Sequence, residues 1–216
     1  NDFGELTVAR RYPGGVSDST RGLSNGGTSP TPGVNTDLID YITMASTGNA
    51  TNFGSLLEQA TYLTGSGCQS PTRGFLGGGQ PSLTRNIQSY NIQSQGDATK
   101  FGELTSGRSG ITAGSNSTRG IFAAGYTPSA YINTIEFITM STEGNATDFG
   151  DLSGQVAFTG AGMYSATRGV HAGSYPSSNV IQYITIATTG DAQDFGDLIL
   201  KRVSYAGSSD SHGGLG

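Results

Sequence analysis

The chain has 216 residues, 35 of them glycine, and a formal charge of −5 from 11 Lys and Arg against 16 Asp and Glu. Charged residues make up only 12%, about half the usual share, and glycine stands at about twice its own. That composition excludes a long helical bundle, and the charge excludes a nucleic-acid binder that works by neutralising phosphates.

The lone Cys68 cannot form an internal disulfide, and the two histidines, His171 and His212, make no Cys/His metal cluster with it. No apolar stretch approaches the roughly 20 residues of a membrane span. The chain opens Asn1-Asp2-Phe3, with neither Met nor a signal-type segment. Together with the phase of the repeat described next, this start suggests a window of a longer chain.

A Phe-Gly pair recurs at Phe3, Phe53, Phe101, Phe149 and Phe195, at spacings of 50, 48, 48 and 46 residues. Each is preceded by a turn such as Gly-Asn-Ala-Thr (48–51) and followed by a small-residue segment, among them Gly14-Gly15, Gly65-Ser66-Gly67 and Ala113-Gly114. An Arg-Gly pair follows at Arg21, Arg73, Arg119 and Arg168, and then an apolar run such as 39–44 or 181–186. The repeats run about 2–51, 52–99, 100–147 and 148–193, with a partial one from 194 to 216, in one repeat domain. In the partial copy Asp210, Gly214 and Leu215 match Asp18, Gly22 and Leu23.

The apolar runs are rich in β-branched and aromatic residues, and turn clusters of Gly, Asn, Asp and Ser bound each run. Four short strands fit each repeat, near 3–9, 11–17, 21–27 and 36–46 in the first copy. The expected fold is all-β: a β-propeller of four-stranded blades, each about 48 residues, with four full repeats and a partial one. Small residues suit the crowded inner strand, and each Phe suits a plug in the core between blades.

These residues resemble the kelch repeat. The small pair that ends the second kelch strand appears as Gly26-Gly27, Gly78-Gly79, Ala124-Gly125 and Gly173-Ser174, and the third-strand aromatic as Tyr41, Phe137 and Tyr183. Ser89 departs from that pattern, and Phe stands where many kelch units carry Trp. Strings such as Thr-Gly-Asn-Ala-Thr-Asn-Phe-Gly (47–54) look closer still to kelch-type repeat proteins of marine tailed bacteriophages. That resemblance implies a virion component: a tail fibre, an adhesin or a capsid-surface protein.

Sites of chemistry are harder to find. Asp191, Asp194 and Asp197, with Asn145, Asp148 and Asp151, have oxygen ligands spaced for calcium, but the third copy puts Lys100 inside the set. Turn formation is the better reading, and no metal or cofactor is expected. The four arginines could ring a carboxylate or sulfated glycan, but their presence in every copy suits a structural clamp to carbonyls or turns. His171 sits in an apolar run with no acid beside it, and no catalytic residue is assigned. The sequons at Asn49, Asn116 and Asn145 are by-products of repeated turns.

The expected function is therefore a non-catalytic binding or structural module, not an enzyme, on a virion or extracellular particle surface. It would present the variable loops 28–36, 80–85, 127–131 and 175–179 to other particle proteins or to a host-surface glycan or protein. Neither nucleic acid nor a membrane span is expected, and missing sequence or another chain could complete the last blade. The rivals are a propeller-fold enzyme, such as an oxidase or glycan-cleaving protein, and an intracellular kelch adaptor.

Overall fold

A computed structural model describes residues 2–30, 33–63, 67–157, 161–203 and 207–208. The described residues form sixteen strands and no helix, in four four-stranded antiparallel sheets arranged as the blades of a propeller. The first blade holds β1 (Gly14–Ser17), β2 (Arg21–Asn25), β3 (Leu38–Thr43) and β4 (Thr51–Ser55). The second holds β5 (Gly67–Gln69), β6 (Arg73–Gly77), β7 (Asn86–Asn91) and β8 (Thr99–Glu103). The third holds β9 (Thr112–Ser115), β10 (Arg119–Tyr126), β11 (Tyr131–Thr139) and β12 (Thr147–Val156). The fourth holds β13 (Ala161–Tyr164), β14 (Arg168–Ser174), β15 (Ser178–Thr185) and β16 (Gln193–Arg202). In each blade the strands lie in sequence order from the centre outward, and β1, β5, β9 and β13 contact one another in turn.

The structural blade is offset from the sequence repeat. Each Phe-Gly strand closes the sheet of the three strands before it, whereas residues 3–9, expected as a strand, form none. They still make the bonds that β4, β8 and β12 make to the following blade. Phe3 O accepts from Gly48 N and Glu5 O from Ala50 N, just as Phe101 O accepts from Gly144 N and Glu103 O from Ala146 N. Of the partial repeat, Asp210, His212, Gly214 and Leu215 lie outside the described residues.

The core consists of three clusters, one at each seam between consecutive blades. The Phe of the Phe-Gly pair plugs each seam: Phe53, Phe101 and Phe149 are 3%, 4% and 2% exposed. Phe53 sits edge-on between Tyr41 of its own blade and Tyr90 of the next, at 5.9 and 5.6 Å. Phe3 and Phe195, at the two ends of the repeat array, are 40% and 58% exposed. The glycine that follows the Phe has a separate task. A Cβ on Gly4, Gly54, Gly102 or Gly150 would collide with the carbonyl of the turn glycine in the next blade, and no other residue permits that approach.

The turns explain the remaining repeated letters. Asp18, Ser70, Asn116 and Ser165 each accept from the amides two and three residues on, closing the first hairpin of the blade ahead of Thr-Arg-Gly. Asn49, Asp97, Asn145 and Asp191 do not tighten their own hairpins. They reach across the seam and accept from the amides of Glu5, Ser55, Glu103 and Asp151. The kelch-like small pair is a left-handed kink: Gly26, Gly78, Ala124 and Gly173 have φ of 59, 70, 62 and 54°. In the first two copies the kink lets Gly27 N and Gly79 N reach the carbonyls of Ala60 and Arg108.

One polar position on the third strand is solved in two ways. Asp40, Gln88, Glu136 and Gln182 each accept an amide, from Thr7, Leu57, Thr105 and Ser153 respectively. Where the acceptor is a carboxylate, the residue seven after Phe is an arginine. Arg10–Asp40 and Arg108–Glu136 are ion pairs of 2.8 and 3.0 Å with fully buried side chains. Where the acceptor is Gln, that residue is Ala60 or Val156.

Two predictions follow from seams built in this way. Gly102→Ala should destabilise the fold by about 1–3 kcal/mol or more, because backbone must move to admit the methyl. Gly144→Ala, on the other side of the same contact and with open space around it, should be close to neutral in a denaturant titration. Arg108→Val alone should cost about 3–5 kcal/mol by stranding a buried carboxylate. Adding Glu136→Gln imports the solution of the fourth blade and should restore most of that loss. If the double variant is as unstable as the single, the two-state account of this position is wrong.

Candidate functional site

The loops between second and third strands all emerge at one end of the blades, the end at which each outer strand also leaves for the next blade. Each loop is pinned to the connector before its own blade. Arg11 and Thr28 exchange both backbone hydrogen bonds, as do Thr61 with Gln80, Ser109 with Tyr126 and Ala157 with Tyr175, at 2.8–3.1 Å. Such bonds do not depend on side chains. They hold four loops of unlike sequence in one frame, an arrangement suited to variable recognition.

Tyrosines dominate this end. The residue after each of the first three pinned connector positions is Tyr12, Tyr62 and Gly110, all in the left-handed region at φ 59, 55 and 64°. Glycine adopts that conformation freely, whereas a tyrosine there is strained by about 1 kcal/mol or more. Despite this, the rings of Tyr12 and Tyr62 stack at 4.5 Å with planes 13° apart, and Tyr12 is exposed. On the opposite blades Tyr131 lies 5.4 Å from both Tyr126 and Tyr175, with Tyr175 exposed. Tyr131 has its hydroxyl pKa raised, by desolvation first and then by the neighbouring Tyr175 and Tyr126 hydroxyls. The face therefore presents two groups of aromatic rings.

The repeated arginines lie toward the other end, and two of them reach across a seam. Arg21 stacks on Tyr41 at 4.8 Å and donates to Ile92 O of the second blade, and Arg119 stacks on Phe137 at 4.5 Å and donates to Ile186 O of the fourth. Arg168 stacks on Tyr183 at 4.6 Å. Arg73 has no third-strand aromatic to cover. It donates to the hydroxyl of Ser89, the residue that replaces that aromatic, at 2.7 Å and lies 5.2 Å from both Phe75 and Phe101. The sequon asparagines are all engaged: Asn49 and Asn145 accept across the seams, and Asn116 accepts within its turn and donates across a seam to Ala166 O.

His171 is buried between the third and fourth blades, with Nε2 3.1 Å from Tyr164 Oη and no partner for Nδ1 among the described residues. Burial lowers its pKa to about 4. Cys68 is also fully buried, and desolvation pushes its thiol far above the ordinary range. Among the described residues no three His, Cys, Asp or Glu side chains gather as a metal cluster would.

The buried ion pairs Arg10–Asp40 and Arg108–Glu136 escape sequence reasoning that follows single positions. The signal that reveals them is paired: arginine seven after Phe occurs where the third strand carries an acid, and Ala or Val where it carries Gln.

A neutral buried histidine makes stability pH-dependent. Between its unfolded pKa near 6.5 and its folded value of about 4, only the unfolded chain is protonated. Stability is full above the upper value and is lost as pH falls toward the lower one. From pH 7.5 to 4.5 this contributes a loss of about 2.5 kcal/mol, which His171→Leu should abolish because the second blade carries Leu76 at that place. Urea midpoints at the two pH values would check it, and equal losses in both proteins would refute the assignment.

No protein-family model matches the chain, and no curated protein matches it.

Proposed function

We propose that the chain is a non-catalytic binding and structural module, kelch-like in its repeat, on a virion or another extracellular particle. Its loop face engages a sugar of the host surface. The observation that carries this reading is the pair Tyr12 and Tyr62, held in a conformation that favours glycine with one ring exposed. A residue kept against local strain points to use rather than to packing. Tyrosine offers a flat apolar face and a polar tip at low entropic cost, which suits a sugar ring. The non-catalytic reading is supported by His171 and Cys68, the residues best suited to catalysis by type, both closed off from solvent. No helix among the described residues is long and apolar enough to cross a membrane.

The test is a glycan array probed with the purified chain and with a Tyr12→Gly/Tyr62→Gly variant. Removing the strain should leave the melting temperature unchanged or higher, while binding falls by about tenfold or more. Immunogold labelling of purified particles should place the chain on their surface. An empty array, or a variant that binds as well as the parent, would sink the sugar reading; binding to a particle protein alone would replace it with a structural role.

A further inference from the structure

The interior seams give a standard against which the two outer faces of the array can be judged. On the face of each blade that looks back to the blade before it, the residues at one hydrogen-bonded position are Met44, Ile92, Met140 and Ile186. The last three are buried and Met44 is 50% exposed. On the face that looks forward, Leu23, Phe75 and Ile121 are buried and their counterpart Val170 is half-exposed, and the same holds for Ile39, Ile87 and Ile135 against Ile181. Phe195 and Ile199, on the outer strand β16, are 58% and 100% exposed. Gly196 has open space where Gly54, Gly102 and Gly150 meet the next blade's turn. A cavity of about 510 Å³, lined by the inner strands of all four blades, opens toward Ile42 and Ala50 of the first blade, and Gly207 and Ser208 also line it.

The charge at this edge is also specific. The residue seven after Phe195 is Arg202, which corresponds to Arg10 and Arg108 and not to Ala60 or Val156. Both of those arginines form fully buried ion pairs with a carboxylate on the third strand of the blade that follows them. The first blade cannot serve Arg202, because Asp40 is already held by Arg10 and by Thr7.

We infer that the forward face of the fourth blade is a docking surface for one further blade of the same repeat, covalently continuous with β16. Its third strand carries Asp or Glu to pair with Arg202. This blade fills the wedge between the fourth and first blades, covering Val170, Ile181 and Phe195 on one side and Ile42 and Met44 on the other. An unpaired arginine in such a seam would be costly to bury, so a blade with Gln at that position is a poor occupant. Stability in repeat arrays is built from neighbour interfaces, so the added blade should protect both flanking ones.

The register permits a direct test with two forms of the protein: the 216-residue chain, and residues 1–202 followed by a second copy of residues 11–55. In the longer form Arg202 takes the place of Arg10, and the appended copy of Asp40 faces it. The longer form should melt several degrees higher. Amide exchange should slow by about tenfold or more in β16 and in β3 of the first blade. Asp40→Arg in the appended copy alone should abolish both effects, and Arg202→Asp added to it should restore them. Unchanged exchange in β16, or indifference to the charge reversal, would overturn the inference. So would concentration-dependent self-association of the 216-residue chain that Arg202→Asp prevents, since a second copy would then be the occupant.

Discussion

The close approach of two backbones at each seam is the constraint on which the rest of the structure depends. The outer strand of one blade offers two carbonyls to the turn of the next, and the Phe-Gly glycine leaves room for that turn's own glycine carbonyl. Only with the turn drawn in this closely does the neighbouring Phe become buried, and only with the Phe buried is there a core at all. The three apolar clusters lie between blades and not within them. A single blade of this sequence has two apolar faces and no interior. Its stability is a property of adjacency, as in other arrays of stacked repeats.

A propeller built this way must also place polar backbone inside its seams, and the third-strand position shows the cost of doing so. The amide of the connector needs an acceptor, and both Gln and a carboxylate provide one. A carboxylate brings a charge that water cannot reach, so an arginine must accompany it. That arginine also donates to backbone: Arg10 to Ser24 O and Leu38 O. The two solutions alternate along the chain and change as pairs, never by halves. Four repeats within one sequence thus record a coupling that is usually read from many sequences. It reflects the large penalty for leaving one member of a buried pair alone.

Much of the fold was legible because periodicity survives divergence. Phe, Gly, Arg and the Asx-rich turns recur at fixed phase, and fixed phase in a chain of short β-rich segments leaves few architectures besides a propeller. What the sequence left obscure was which neighbour each repeated residue serves. Asn49 and Asp97 look like ordinary turn formers, yet their oxygens cap amides about forty residues earlier in the chain. Residues 3–9 carry the letters of a strand and make its bonds to the next turn, yet form no strand. The left-handed tyrosines were hidden for a related reason. Residue type argues against that conformation, and only the alignment of Tyr12 and Tyr62 with Gly110 gives it away.

The loop face combines a rigid frame with permissive content, and both come from the same bonds. Each loop base is fixed by a reciprocal pair of backbone hydrogen bonds to its connector, so no side chain in the loop is needed to hold it. Mutation there is limited by what the loop must recognise more than by what the fold requires. In the first three repeats the connector adds a left-handed position on the way to the next inner strand. Glycine at that position would be cheaper, as the third repeat shows. A tyrosine there gives up some stability to hold a ring at a set height over the face, and backbone geometry, rather than packing, decides where that ring stands.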